Sequence, residues 1–123
     1  MNDCPYFEVK REYAVFRPTG EISLEGAMDM VGSALEATRA AHLRKVLVVL
    51  TSLSGLRIPD TFERFECAVR WAEKADWRIR MAVAAKPELI DPDRFGVTVA
   101  RNRGLEANVF STEAEALHWL LRD

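Results

Sequence analysis

The run Val46-Leu47-Val48-Val49-Leu50 is apolar at every position, and three of its five residues are β-branched. A helix with one wet face would break such a run every third residue, and a strand with one wet face would alternate. The run therefore predicts a strand covered on both sides, at the centre of a sheet. A strand sheathed in this way needs helices to either side, and the flanking sequence supplies them. Ser23 can cap a helix running to about Ala41, with Leu24, Ala27, Met28, Val31, Ala34 and Leu35 at the three-and-four spacing of a buried face. Glu25, Asp29, Glu36 and Arg39 fall on its other side. After the loop chemistry of Thr51 to Pro59, Asp60 and Glu63 form a capping pair ahead of a second helix, with Phe62, Phe65, Val69 and Ala72 expected to face inward.

The remaining segments continue the alternation. Phe7 to Lys10 and Tyr13 to Arg17 read as an N-terminal hairpin turning at Arg11-Glu12 and closed by Pro18-Thr19-Gly20. Arg78 to Ala85 alternates Ile79, Met81 and Val83 against Arg80, Ala82 and Ala84, which predicts an off-centre strand with one strongly apolar face. Asp91-Pro92 reads as a helix cap followed by proline in the first turn, with Phe95, Val99 and Ala100 facing in and Gly104 just past the end. Ala107 to Phe110 is a short strand. Ser111 or Thr112 caps a last helix whose inner face is expected to hold Ala114, Leu117, Leu120 and Leu121. The order is ββαβαβαβα, an α/β fold with a mixed sheet of about five strands and about four helices, parallel apart from the hairpin. At 123 residues the expectation is a single domain spanning 1–123.

Composition narrows the function classes. Seventeen Lys and Arg against nineteen Asp and Glu leave a net charge of −2 with no basic stripe, which disfavours phosphate-backbone binding and hence a nucleic-acid partner. No apolar run approaches the roughly 20 residues of a membrane span, and no basic-then-apolar leader opens the chain, so a cytoplasmic protein is expected. Cys4 and Cys67 lack framework spacing and are expected to be reduced thiols. The phosphate-cradling, dinucleotide-binding, nucleophile-elbow and HExxH motifs are absent. His42 and His118 have no neighbours at metal-ligand spacing. Asp91 with Asp93, and Glu113 with Glu115, flank helix starts, where acids serve the macrodipole. Neither an enzyme, nor a metal, nor a cofactor is expected.

Functional groups in such sheets gather where strands end and helices begin. That points to the segment after the central strand, with Thr51, Ser52, Ser54, Asp60 and Thr61 as candidate partner-binding or switch residues. A phosphate on Thr61 would meet unpaired helix N–H groups but also the acids Asp60 and Glu63. A second candidate is an apolar pocket walled by Phe62, Phe65, Trp71 and Met81, weighed against ordinary core packing. Arg101-Asn102-Arg103 before Gly104 reads as an anion clamp or, more simply, as cations placed on a helix C-terminus.

Val15-Phe16-Arg17-Pro18-Thr19-Gly20-Glu21-Ile22 resembles the opening of STAS domains, the class of the anti-anti-sigma factor SpoIIAA. Lys45 to Leu50 with Thr51-Ser52-Leu53-Ser54 is similar to that family's central strand and switch loop. Ala100 to Leu105, with Val109 to Leu117, resembles its closing strand and last helix, and with Trp119 and Leu120 is similar to the SpoIIAA-like bacterial proteins grouped with STAS and SEC14-type domains. The resemblance implies the SpoIIAA-like (STAS) fold and a non-catalytic regulatory module that binds a protein partner, an anti-sigma factor or kinase-like regulator, under control of phosphorylation. The alternative it implies is a SEC14-like domain for a small apolar ligand or lipid. In the family a D-S-S-G sequence carries the phosphorylated serine. Here an ungapped comparison puts Arg57-Ile58-Pro59-Asp60 at that place, and a two-residue shift puts Pro59-Asp60-Thr61 there. An uncovered edge strand in the hairpin offers a contact for a homodimer.

Overall fold

The computed structural model describes residues 4–122. Strands β1 (Phe7–Val9) and β2 (Ala14–Phe16) form the expected antiparallel hairpin. They are followed by a two-residue strand β3 (Gly20–Glu21), helix α1 (Leu24–Ala40), strand β4 (Lys45–Val49) and a second short strand, β5 (Leu53–Ser54). Then come α2 (Thr61–Ala75), β6 (Arg80–Ala84), a 3-10 turn at Pro87–Leu89, α3 (Phe95–Asn102), β7 (Glu106–Phe110) and α4 (Glu113–Leu121). The main sheet has the order β1-β2-β4-β6-β7, so the aliphatic run occupies the middle of five strands. β2, β4, β6 and β7 are parallel. The fold is mixed α/β, with the architecture anticipated from the sequence.

The layering follows from chain direction. From β2 to β4, β6 and β7 the chain always steps the same way across the sheet, so crossovers of one hand deposit α1, α2 and α3 on one face. That face packs Val46 and Val48 of β4 with Met81 and Val83 of β6 against Val31, Ala34 and Leu35 of α1, Ala68, Ala72 and Ala75 of α2, and Ala100 of α3. The opposite face receives no crossover and is covered by the C-terminal helix. Ala116 and Leu120 of α4 close over Val15, Leu47, Val49, Ala82 and Ala84. Full burial of an aliphatic side chain such as Leu47 contributes about 1.5–3 kcal/mol.

Local signals place the ends of the elements. The Ser23 hydroxyl accepts the Gly26 N–H at the start of α1 (3.1 Å). Asp60 and Glu63 form a reciprocal capping box on α2. Thr112, rather than Ser111, caps α4. Gly104 is left-handed, at φ +94, and follows α3 as expected.

Four expectations need correction. On α2 the buried face is Ala68, Ala72 and Ala75; Phe62 and Phe65 are exposed and Val69 is half-buried. Small residues are selected where α2 lies between α1 and α3, which rotates the bulky side chains outward. Helix α3 begins at Phe95, four residues after Asp91. The Asp91 carboxylate takes the N–H groups of Asp93 and Phe95, and Arg94 turns left-handed to start the helix. On that helix Ala100 is buried and Val99 packs on the core, while Phe95 stays exposed. On α4, Ala116 and Leu120 are buried, Leu117 and Trp119 pack beside them, and Ala114 and Leu121 face solvent. The segment 51–59 is not wholly loop, because β5 pairs in parallel with β3.

A Cβ on Gly104 would overlap the indole ring of Trp77, an exposed residue that is itself left-handed at φ 62. Gly104→Ala should therefore lower stability by about 1–3 kcal/mol, through backbone strain and displacement of the indole. Trp77→Ala in the same chain should restore only the steric part, as measured by chemical denaturation.

Candidate functional site

The C-terminal ends of β4, β6 and β7 open beneath α1, α2 and α3 into an apolar cleft of about 180 Å³. Its floor is Met81 and Val83 of β6 with Ala107 and Val109 of β7, and its walls include Met28 and Val31 of α1 and Cys67 and Trp71 of α2. The Trp71 indole N–H donates to the Met28 carbonyl (2.9 Å), pinning α2 to α1 along one wall. Of the four pocket residues expected from the sequence, Trp71 and Met81 line the cleft. Phe62 and Phe65 do not; they stand on the outer side of α2. The sequence showed apolar spacing but not which of two adjacent helix faces the small-residue seam would claim.

The rim is charged. Arg57, Glu63, Arg64, Asp91 and Arg94 surround the opening. Arg57 grips Glu63 through both guanidinium nitrogens, one contact at 2.7 Å, while Glu63 also accepts the Asp60 N–H. The guanidinium first, and the backbone N–H second, hold the Glu63 carboxyl below its ordinary value of 4.5, at about 2. The Asp91 carboxyl is lowered chiefly by the Phe95 N–H. Arg94 donates to Asn108 Oδ1 (2.8 Å) and to the Val109 carbonyl (2.5 Å), and Asn108 Oδ1 accepts the Val109 N–H. Side chains thereby occupy the outer backbone groups of the edge strand β7 at Val109, where a further strand would otherwise pair. Cys67, within the cleft wall, has its thiol pushed up to about 12 by burial, which removes it as a nucleophile at neutral pH.

The hydroxyl-rich segment divides in two. Thr51, Ser52 and Ser54 belong to the turn and short ladder against β3, where the Ile22 N–H donates to the Ser54 carbonyl (3.0 Å). Asp60 and Thr61 sit at the start of α2, both exposed, with Asp60 engaged in the capping box. Among the described residues no hydrogen bond joins the two groups. Thr61 is the first residue of α2, flanked by the Arg57–Glu63 pair.

Around this helix start lies a group of exposed apolar side chains. Phe62 is 66% exposed and Ile58 60%, with Phe65 and Phe95 each at 37%. Gly96 lies against the Arg64 backbone (its ideal Cβ would be 3.7 Å from the Arg64 carbonyl oxygen), so the start of α3 packs on the first turns of α2. The Arg103 guanidinium lies over the Phe65 ring at 5.6 Å, so the Arg101-Asn102-Arg103 segment delivers one cation to this same surface. Among the described residues no three His, Cys, Asp or Glu side chains converge as metal ligands, and no helix is long and apolar enough to cross a membrane. Glu113 bonds Arg17 (2.5 Å), and Thr112 and Glu115 cap α4, so the acid pair there serves structure.

No family model matches the chain, and no curated protein sequence matches it. Among solved structures it is similar to an uncharacterised DUF3478-family protein with a SpoIIAA-like fold from Shewanella loihica PV-4, at 19% identity and TM-score 0.47. That alignment covers 93% of this chain and 90% of the other. It is also similar to the anti-sigma factor antagonist SpoIIAA in its unphosphorylated form, at 16% identity and TM-score 0.47, over 92% of this chain and 94% of that one.

Because the Glu63 carboxyl is lowered in the folded chain, its pairing stabilises above its ordinary value near 4.5 and is lost as pH falls toward about 2. Glu63→Gln should thus lower the melting temperature at neutral pH, and the gap from wild type should close across that acid window. A gap constant with pH would show that the charge of Glu63 contributes nothing.

Proposed function

We propose that the chain is a non-catalytic regulatory module of SpoIIAA-like architecture whose partner-binding surface is the start of α2 with the preceding segment. The observation that carries this reading is the exposure of Ile58, Phe62 and Phe65 on the same short segment that holds Asp60 and Thr61. Isolated exposed apolar residues are ordinary, but aromatic side chains clustered on one helix start and edged by Arg103 have the composition of an interface centre. Thr51, Ser52 and Ser54 form the other flank of the same segment. The Cys67 thiol, the one nucleophile in the cleft wall among the described residues, is held protonated by burial, which favours binding over turnover there.

Thr61 is the switch position in this proposal. A phosphate there would compete with Glu63 for Arg57 and stand beside the Asp60 carboxylate, so it would rearrange the capping box on which the aromatic group is mounted. The partner is a protein, an anti-sigma factor or kinase-like regulator by analogy with the STAS domains that the sequence resembles, and the site of action is the cytoplasm.

The test is affinity capture from extracts of the source cell with wild type, Phe62→Ser/Phe65→Ser and Thr61→Glu chains. Wild type should retain a stoichiometric protein partner. The double variant should fold with an unchanged circular dichroism spectrum and lose that partner, and Thr61→Glu should weaken capture at least about fivefold, a typical cost for disturbing an interface charge pattern. Equal recovery by the double variant would refute the surface, and equal recovery by Thr61→Glu would remove Thr61 from the mechanism.

A further inference from the structure

The apolar cleft is distinct from the aromatic surface, since neither Phe62 nor Phe65 lines it, and it has its own chemical logic. At about 180 Å³ it is slightly larger than an apolar cavity of about 150 Å³ that accepts a benzene-sized guest. Its interior, with Met28, Val31, Trp71, Met81, Val83 and Leu105, offers no charge. The charges are confined to the rim, and four of the five rim groups are engaged by short contacts. Arg57 and Glu63 hold each other; Asp91 holds the N–H groups of Asp93 and Phe95; Arg94 holds Asn108 and Val109. The remaining one, Arg64, makes a single long hydrogen bond of 3.4 Å, with the Leu89 carbonyl, among the described residues, and only a longer-range attraction to Asp91. Three guanidiniums against two carboxylates leave this rim with an excess of one positive charge.

We infer that the cleft binds a small amphiphile with an apolar body and one carboxylate, the body seated between β6, β7 and the α1–α2 wall and the carboxylate at Arg64. The pairing follows from the two halves of the site. Filling the interior removes apolar surface from water, and a carboxylate at the rim neutralises the one guanidinium that lacks a short partner while accepting charge-assisted hydrogen bonds. A cationic amphiphile would meet Arg64 head-on, and a neutral one would leave it as it is. The size limits the body to roughly six to ten non-hydrogen atoms, by the same comparison with a benzene-sized guest.

The experiment is titration of the full ¹⁵N-labelled chain at pH 7 with octanoate, octan-1-ol and octylammonium, followed by amide chemical shifts. Octanoate should give saturable shifts at Met81, Val83, Ala100 and Leu105. Octan-1-ol should move the same amides with affinity at least about fivefold weaker, since it forfeits the charge-assisted contact, and octylammonium should not saturate. Arg64→Gln should bring octanoate down to the affinity of octan-1-ol, and Val97→Trp, which fills the mouth from a half-buried position, should abolish both. No saturable shifts in wild type, equal binding of the three probes, or unchanged octanoate affinity in Arg64→Gln would each overturn the inference.

Discussion

Burial of β4 on both of its faces is the constraint from which the rest of the structure follows. Val46 and Val48 are claimed by α1 and its neighbours, and Leu47 and Val49 by α4. The lateral hydrogen-bonding groups of β4 are taken up as well, by β2 on one side and β6 on the other. Three same-handed crossovers then load one face, and only a helix outside that series can cover the other. Helix α4 fills that role with nine residues, and it is held by contacts at both of its ends. Arg17 bonds Glu113 at its start, and Arg80 donates to the Leu120 and Arg122 carbonyls at its finish, where a cation suits the macrodipole.

The same layering sets where binding can occur. With three helices on one face, their packing against the strand ends leaves the cleft between α1, α2 and α3, and the segment leaving β4 must climb over that opening to reach α2. Residues 56, 57 and 59 therefore contribute to the rim of the cleft, while Ile58 and Phe62 point away to solvent. One short piece of chain faces two environments, an apolar interior and an aromatic exterior. The Asp60–Glu63 capping box and the Arg57–Glu63 pair are the fixed joint between them.

Much of this was legible in the sequence because it rests on local chemistry. Ser23, Asp60 with Glu63, and Gly104 marked helix ends through groups that satisfy backbone atoms within a few residues, and the uninterrupted aliphatic run marked the central strand. What could not be read was chosen by tertiary packing. Apolar spacing on α2 points Phe62, Phe65, Val69 and Ala72 inward, and of these only Ala72 is buried, because close approach of α1 and α3 selects the seam Ala68, Ala72 and Ala75. The ladder between β3 and β5 has only two residues in each strand and no periodicity to reveal it. Arg64 carried no signal at all in sequence; its importance appears only when the partners of Arg57, Asp91 and Arg94 are known.

Native-state hydrogen exchange by NMR tests the sheathed-strand account most directly. The amides of Val46 to Val49 should exchange only through global unfolding and rank among the slowest in the chain, while those of 55–59 exchange orders of magnitude faster. If the β4 amides exchanged as readily as those of the edge strand β1, the central strand would not be covered on both faces, and the positions assigned to the cleft and the aromatic surface would fall with it.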